Sequence, residues 1–140
     1  MQIAVERDDE GEIFKALVEA LIAFNRDAAG VGRGEPVVVT VRDDDGTLRG
    51  GVWGRVSGDS AYFDVVFLQE PLRGQGRGRA MMVAAEGEAR RRGARDVWLY
   101  TLSWQARPFY EKLGYRCFAA LPFMGGRHQR LFMTKDLGPL

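Results

Sequence analysis

Glycine and arginine alternate through Arg73-Gly74-Gln75-Gly76-Arg77-Gly78, and this is the stretch of the sequence with the most evident chemistry. Glycines leave main-chain amides open to an approaching anion, and arginines at 73, 77 and 79 can add charge-assisted donors at the same place. If the segment opens a helix, the first amides have no internal partners and sit at the positive end of the helix dipole, which suits a pyrophosphate. Two familiar phosphate motifs do not fit. A P-loop would end in Gly-Lys-Ser/Thr, and the dinucleotide fingerprint would run G-x-G-x-x-G ahead of an acidic residue about 20 positions on. The plainer alternative is a glycine-rich turn with solvated arginines. A second candidate is Asp64, the one charge in the apolar run Ala61–Leu68. A lone carboxylate in a buried strand must find partners or hold its proton more tightly, which would suit a general base acting through water near neutral pH. Otherwise it is hydrogen-bonded to a neighbouring loop. Glu70, just beyond the strand, is a weaker substitute.

These residues depend on the elements around them. Ala61–Leu68 reads as a central strand buried on both faces, and Gly78, Met81, Met82, Ala85 and Ala89 form one stripe of a following helix. Arg90–Arg92 and Gly93 end that helix, as cations and then glycine do at a carboxyl terminus. Val97–Leu102 is the next buried strand, so strand, helix and strand form a right-handed unit with parallel strands. Earlier in the chain, Ile3–Val5 is expected as a short strand. Ile13, Leu17, Ala20, Leu21 and Phe24 then mark an amphipathic helix opened at Asp9 or Gly11. Val37–Val41 and Leu48–Val56 make a hairpin about the Asp-Gly turn at 43–46, with Gly50, Gly51 and Gly54 hinting at a bulge. Gln105–Leu113 is a short helix with Pro108 in its first turn, and Cys117–Leu121 and Gln129–Met133 are final strands joined through Pro122, Gly125 and Gly126.

Placed between strand and helix, R-G-Q-G-R-G resembles the R/Q-x-x-G-x-G/A pattern of the GNAT superfamily of N-acetyltransferases. Ala106-Arg107-Pro108-Phe109-Tyr110-Glu111-Lys112-Leu113-Gly114-Tyr115 resembles that family's A-x-x-F-Y-x-x-x-G-F/Y segment, and with the order of elements the likeness runs from about Val37 to Lys135. The resemblance implies a single α/β (α+β) domain over residues 1–140. Its central sheet would be mixed and mostly antiparallel, of six to seven strands, with one splayed parallel pair and flanking helices. It implies acetyl transfer from acetyl-coenzyme A to the amine of a small molecule or protein. The pantetheine arm would lie against main-chain groups of Phe67 and Leu68, with the Leu68 amide holding the intermediate's oxygen, and the pyrophosphate would rest on Arg73–Gly78. Tyr110 would protonate the departing thiolate, and many relatives place a glutamate as base in the strand that here carries Asp64. Where many relatives have asparagine, this chain has Ser103, a weaker contact for the arm. Relatives are often dimers, and the oligomeric state stays open. The alternatives are a non-catalytic acyl-coenzyme A binding module and a nucleotide-phosphate binder.

Composition narrows the field further. Twenty basic against nineteen acidic residues leave a formal charge of +1, so no chain-wide field gathers nucleic acid or anionic membrane. One cysteine and one histidine cannot assemble a metal cluster between them, so no metal is expected, and Cys117 reads as a small core residue. No apolar run is long enough to span a bilayer and Glu6, Asp8 and Asp9 break a signal-peptide pattern, which makes the cytoplasm the expected location. Trp53, Trp98 and Trp104 read as packing residues, His128 as solvent-facing, and Arg90–Arg92 as a helix end. The segments that would select the acceptor carry no legible code.

Overall fold

The computed structural model describes residues 1–139 and divides the chain into two compact units, Met1–Arg33 and Gly34–Leu140. In the first unit, residues 1–7 form no regular structure, so the strand expected at Ile3–Val5 does not exist. Ile3 and Val5 are fully exposed, and three residues without a pairing partner leave their backbone groups to water. Helix α1 (Glu12–Ala29) follows. The carboxylate of Asp8 accepts from the amides of Ile13 and Phe14, both at 2.9 Å, which satisfies two of the helix's partnerless donors. Gly30, in the left-handed region at φ 67°, closes it. The expected apolar stripe is present, and none of the helix's residues is buried.

The second unit is built on a six-stranded sheet, mostly antiparallel with one parallel pair and flanked by helices, as the sequence implied. Its strands are β1 (Pro36–Arg42), β2 (Leu48–Ser57), β3 (Ser60–Leu68), β4 (Asp96–Leu102), β5 (Arg116–Phe123) and β6 (His128–Asp136). They lie in the order β1-β2-β3-β4-β6-β5, and only β3 and β4 run parallel. The Asp-Gly turn forms as expected: Gly46 has φ 85° and Asp43 accepts its amide. Pro122 lies inside β5 rather than in the following turn. At the sheet's edge a missing amide hydrogen breaks no ladder bond.

Helix α2 (Arg77–Arg91) packs on β1 and β2, burying Met81, Met82, Ala85 and Ala89 against Val37, Val52, Phe63, Val97 and Met133. Helix α3 (Arg107–Lys112) is shorter than the expected Gln105–Leu113, because the Gln105 side chain is used in the turn before it. Its oxygen accepts from the Leu102 amide at 2.8 Å and the Thr101 hydroxyl at 3.0 Å. Arg92 at the end of α2 donates to Glu88 and to the carbonyls of Glu35 and Pro36, so the arginine cluster ties the helix to the start of β1.

Glu86, only 6% exposed, is a buried charge on the core face of α2. Lys135 of β6 donates to it at 2.6 Å and the Tyr115 hydroxyl at 3.1 Å, so its desolvation is matched by an opposite charge and a second donor. Burial, followed by the charge of Glu86, pushes the Tyr115 phenol well above its ordinary range and keeps it a donor. Glu86→Ala strands both partners. Breaking a buried pair costs about 3–5 kcal/mol, and a quarter-exposed lysine brings the expected loss to about 2–3 kcal/mol, read from the urea midpoint at unchanged m-value.

Candidate active site

β3 and β4 pair only at Ser60–Asp96, Ala61–Val97 and Tyr62–Trp98, after which the two strands part. In the β2–β3 ladder the register slips between Trp53 and Gly54, so that Trp53 faces Val65, Gly54 faces Phe63, and Asp64 has no partner across the strand. This is a one-residue bulge, set against a glycine whose added Cβ would lie 2.4 Å from the Tyr62 carbonyl oxygen. Bulge and splay together correct the expectation of a strand buried on both faces: Asp64, Val65 and Phe67 are exposed. The parted strands open a cleft of about 1170 Å³ walled by β3, β4, the α2 amino terminus and α3.

At the wide end of the cleft, Gly74 and Gly76 have φ of 74° and 82°, and Gly76 caps α2 without any side-chain bond. The first intrahelical bond runs from the Ala80 amide to the Gly76 carbonyl, so the amides of Arg77, Gly78 and Arg79 are left for a ligand. A Cβ at Gly78 would come within 3.1 Å of the Phe109 ring, so this glycine lets α3 close against α2. Arg73 donates through Nε to the Leu68 carbonyl at 2.7 Å and lies over the Phe67 ring, pinning the loop to the end of β3. Gln75 and Arg77 bond each other and are not among the cleft's lining residues. Arg79, one of the three arginines expected at this helix start, does line it, as does Lys112, to which sequence reasoning gave no part.

Tyr110 stands in the cleft wall at 6% exposure, its ring edge-on to Phe109 and Tyr115. Burial pushes its phenol up to about 12, and no described residue hydrogen-bonds the hydroxyl. Phe67 and Leu68 also line the cleft. Ser103 does not: its hydroxyl accepts from the Gln129 amide at 3.0 Å and bonds His128 Nδ1 at 3.2 Å. His128 is therefore half-buried, edge-on to Trp104 at 4.7 Å, rather than facing solvent. Trp104 does more than pack, since it lines the cleft half-exposed. Asp64 lies in the same cleft, where the burial that argued for a general base is missing. Its one bond among the described residues is a long one, 3.5 Å, from the Tyr62 hydroxyl.

Residues 5–115 match the model of the acetyltransferase (GNAT) family. An acetyltransferase of Agrobacterium fabrum, Atu2258, is 30% identical over 119 residues, covering 84% of this chain and 87% of the relative. A crystal structure from Agrobacterium tumefaciens superposes with a TM-score of 0.89 at 26% identity, covering 97% of this chain and 99% of that one. An aminoglycoside 6′-N-acetyltransferase solved with coenzyme A shares the fold, with a TM-score of 0.66 at 17% identity over 99% of each chain. A cleft between two parted parallel strands, headed by an uncapped glycine-rich helix start and walled by a buried tyrosine, is thus found in a chain that belongs to the GNAT family of acetyltransferases.

Proposed function

We propose that the chain transfers the acetyl group of acetyl-coenzyme A directly to a primary amine of a small molecule or protein. The observation that carries this reading is that Gly76, Gly78 and Arg79 at the uncapped start of α2 and the buried ring of Tyr110 line one cleft. The amides there, with Arg73 and Arg79, suit a diphosphate, and the stretch Val65–Leu68 of β3, unpaired on its β4 side, offers main-chain groups beside which an extended arm could lie. Coenzyme A is the ligand of the aminoglycoside acetyltransferase that shares the fold.

In the reaction a neutral amine nitrogen attacks the thioester carbonyl carbon, the C–N bond forms and the C–S bond breaks. Tyr110 gives its phenolic proton to the departing sulfur, and the nitrogen sheds a proton to water on the open side of the cleft. Burial keeps Tyr110 protonated through the working pH range, the form a proton donor needs. A module that merely held acyl-coenzyme A would have no use for a buried phenol with an unoccupied donor.

Coenzyme A and acetyl-coenzyme A are expected to raise the melting temperature of the chain by several degrees at saturation, with ATP giving a smaller shift. Thiol release should then require an amine. A shift with ATP alone would point to a nucleotide-phosphate binder. Coenzyme A binding without amine-dependent release across amines, polyamines, aminoglycosides and peptides would leave only the binding module.

A further inference from the structure

The charges lining the cleft are sorted along its length. Arg73 and Arg79 stand at the wide end by the α2 start and Lys112 lines the cleft from α3, while Asp64 is the one carboxylate among the lining residues. Asp64 lies two residues beyond the last β3–β4 pair, Tyr62–Trp98, at the apex where the strands begin to part. Four residues of extended β3 separate it from Leu68, about 13 Å at the usual rise. A phosphorylated carrier is drawn to the wide end, and the apex is left with the opposite preference.

The apex is also aromatic. Beside the cleft Tyr62 stacks on Trp98 at 4.1 Å and sends its hydroxyl to Asp64, while Tyr100 on the opposing strand lines the cleft, 45% exposed overall, with the Arg130 guanidinium 5.6 Å from its ring centre. Burial first, and then the charge of Asp64, pushes the Tyr62 phenol up, which keeps it neutral beside the carboxylate. Asp64 makes no ion pair among the described residues. An open carboxylate flanked by aromatic rings is the chemistry that holds an ammonium or guanidinium group.

Resting on the transferase reading above, we infer that Asp64, framed by Tyr62 and Tyr100, seats a fixed positive charge of the acceptor, so that the substrates are amines carrying a second cationic group. The reacting nitrogen must be neutral to attack, so its own charge cannot be the one that Asp64 keeps. A second ammonium or guanidinium satisfies both demands. Asp64 is then a specificity residue, and its exposure, unexplained for a base, is what a charged ligand needs.

The test uses two probes of equal chain length, diaminobutane and its uncharged analogue butanediol, titrated calorimetrically into the protein saturated with coenzyme A. Diaminobutane should bind at least about tenfold more tightly, the scale of one charge-assisted contact with aromatic support. Asp64→Asn should bring the two within about twofold. Equal binding by the wild type, a preference that survives in Asp64→Asn, or no binding of diaminobutane at millimolar concentration overturns the inference. The first titration, of coenzyme A itself, tests the transferase reading separately, so the two can fail independently. In turnover, a base would make Asp64→Asn lower kcat with every acceptor, whereas a seat for charge makes it raise KM for dicationic acceptors. A uniform fall in kcat would likewise overturn the inference.

Discussion

Tyr110→Phe is expected to lower kcat by about a hundredfold or more, the usual worth of a positioned general acid, while acetyl-coenzyme A binds within about twofold of wild type. The two effects separate because the ring and the hydroxyl do different things. The ring packs edge-on against Phe109 and Tyr115, and phenylalanine keeps those contacts. The hydroxyl has no hydrogen-bond partner among the described residues, so its removal breaks no hydrogen bond of the fold. The melting temperature should therefore hold. The pH dependence follows from the same burial. The protonated phenol is the active donor, and a phenol pushed up to about 12 stays protonated as pH rises through the neutral and moderately alkaline range. Wild type should accordingly show no alkaline loss of kcat from this group below about pH 11, one unit under that value. A Tyr110→Phe enzyme with wild-type kcat removes Tyr110 from the chemistry.

What could be read from the sequence, and what could not, follows from the range of the interactions involved. The start of α2 was legible because a helix start needs only local features, and glycines at 74, 76 and 78 between an apolar run and a helical stripe declare it. The hairpin at Asp43–Gly46 and the arginine-rich end of α2 are local in the same way. The state of β3 is not. Its composition is that of a strand buried on both faces, but its exposure depends on where β4 stops pairing with it and on a slip against β2, both set by residues far away in sequence. For that reason Asp64 looked buried when it is open. Ser103 and His128 were misjudged for the same cause: they are 25 residues apart and meet only because β6 returns beside β4. Lys112 and Tyr100 enter the cleft through α3 and β4 being brought around it, and no local pattern marks them, whereas Arg79 belongs to the same local run as Arg73 and Arg77. Ile3–Val5 shows the converse limit, since β propensity without a neighbouring strand produces no strand.

Gly76→Asp should weaken coenzyme A binding by at least about a hundredfold and shift the melting temperature by only a few degrees. The substituted carboxylate would stand immediately before the partnerless amides of Arg77, Gly78 and Arg79, on the ground proposed for the diphosphate. There it competes for the same donors and repels the ligand's charge. For the helix alone the change is close to neutral. A capping aspartate contributes about 0.5–2 kcal/mol at a helix start, against about 1–2 kcal/mol for holding a side chain in the left-handed region, where Gly76 sits at φ 82°. A Cβ at this position meets no atom within 4 Å, so steric damage to the fold does not confuse the result. Calorimetry with coenzyme A reads the affinity, and a thermal melt of the free protein reads the fold. Loss of binding in a protein that melts normally would mean that the anion is held by main-chain donors at the start of α2. Unimpaired binding would mean that the diphosphate lies elsewhere, and the assignment of the whole cleft would have to be abandoned.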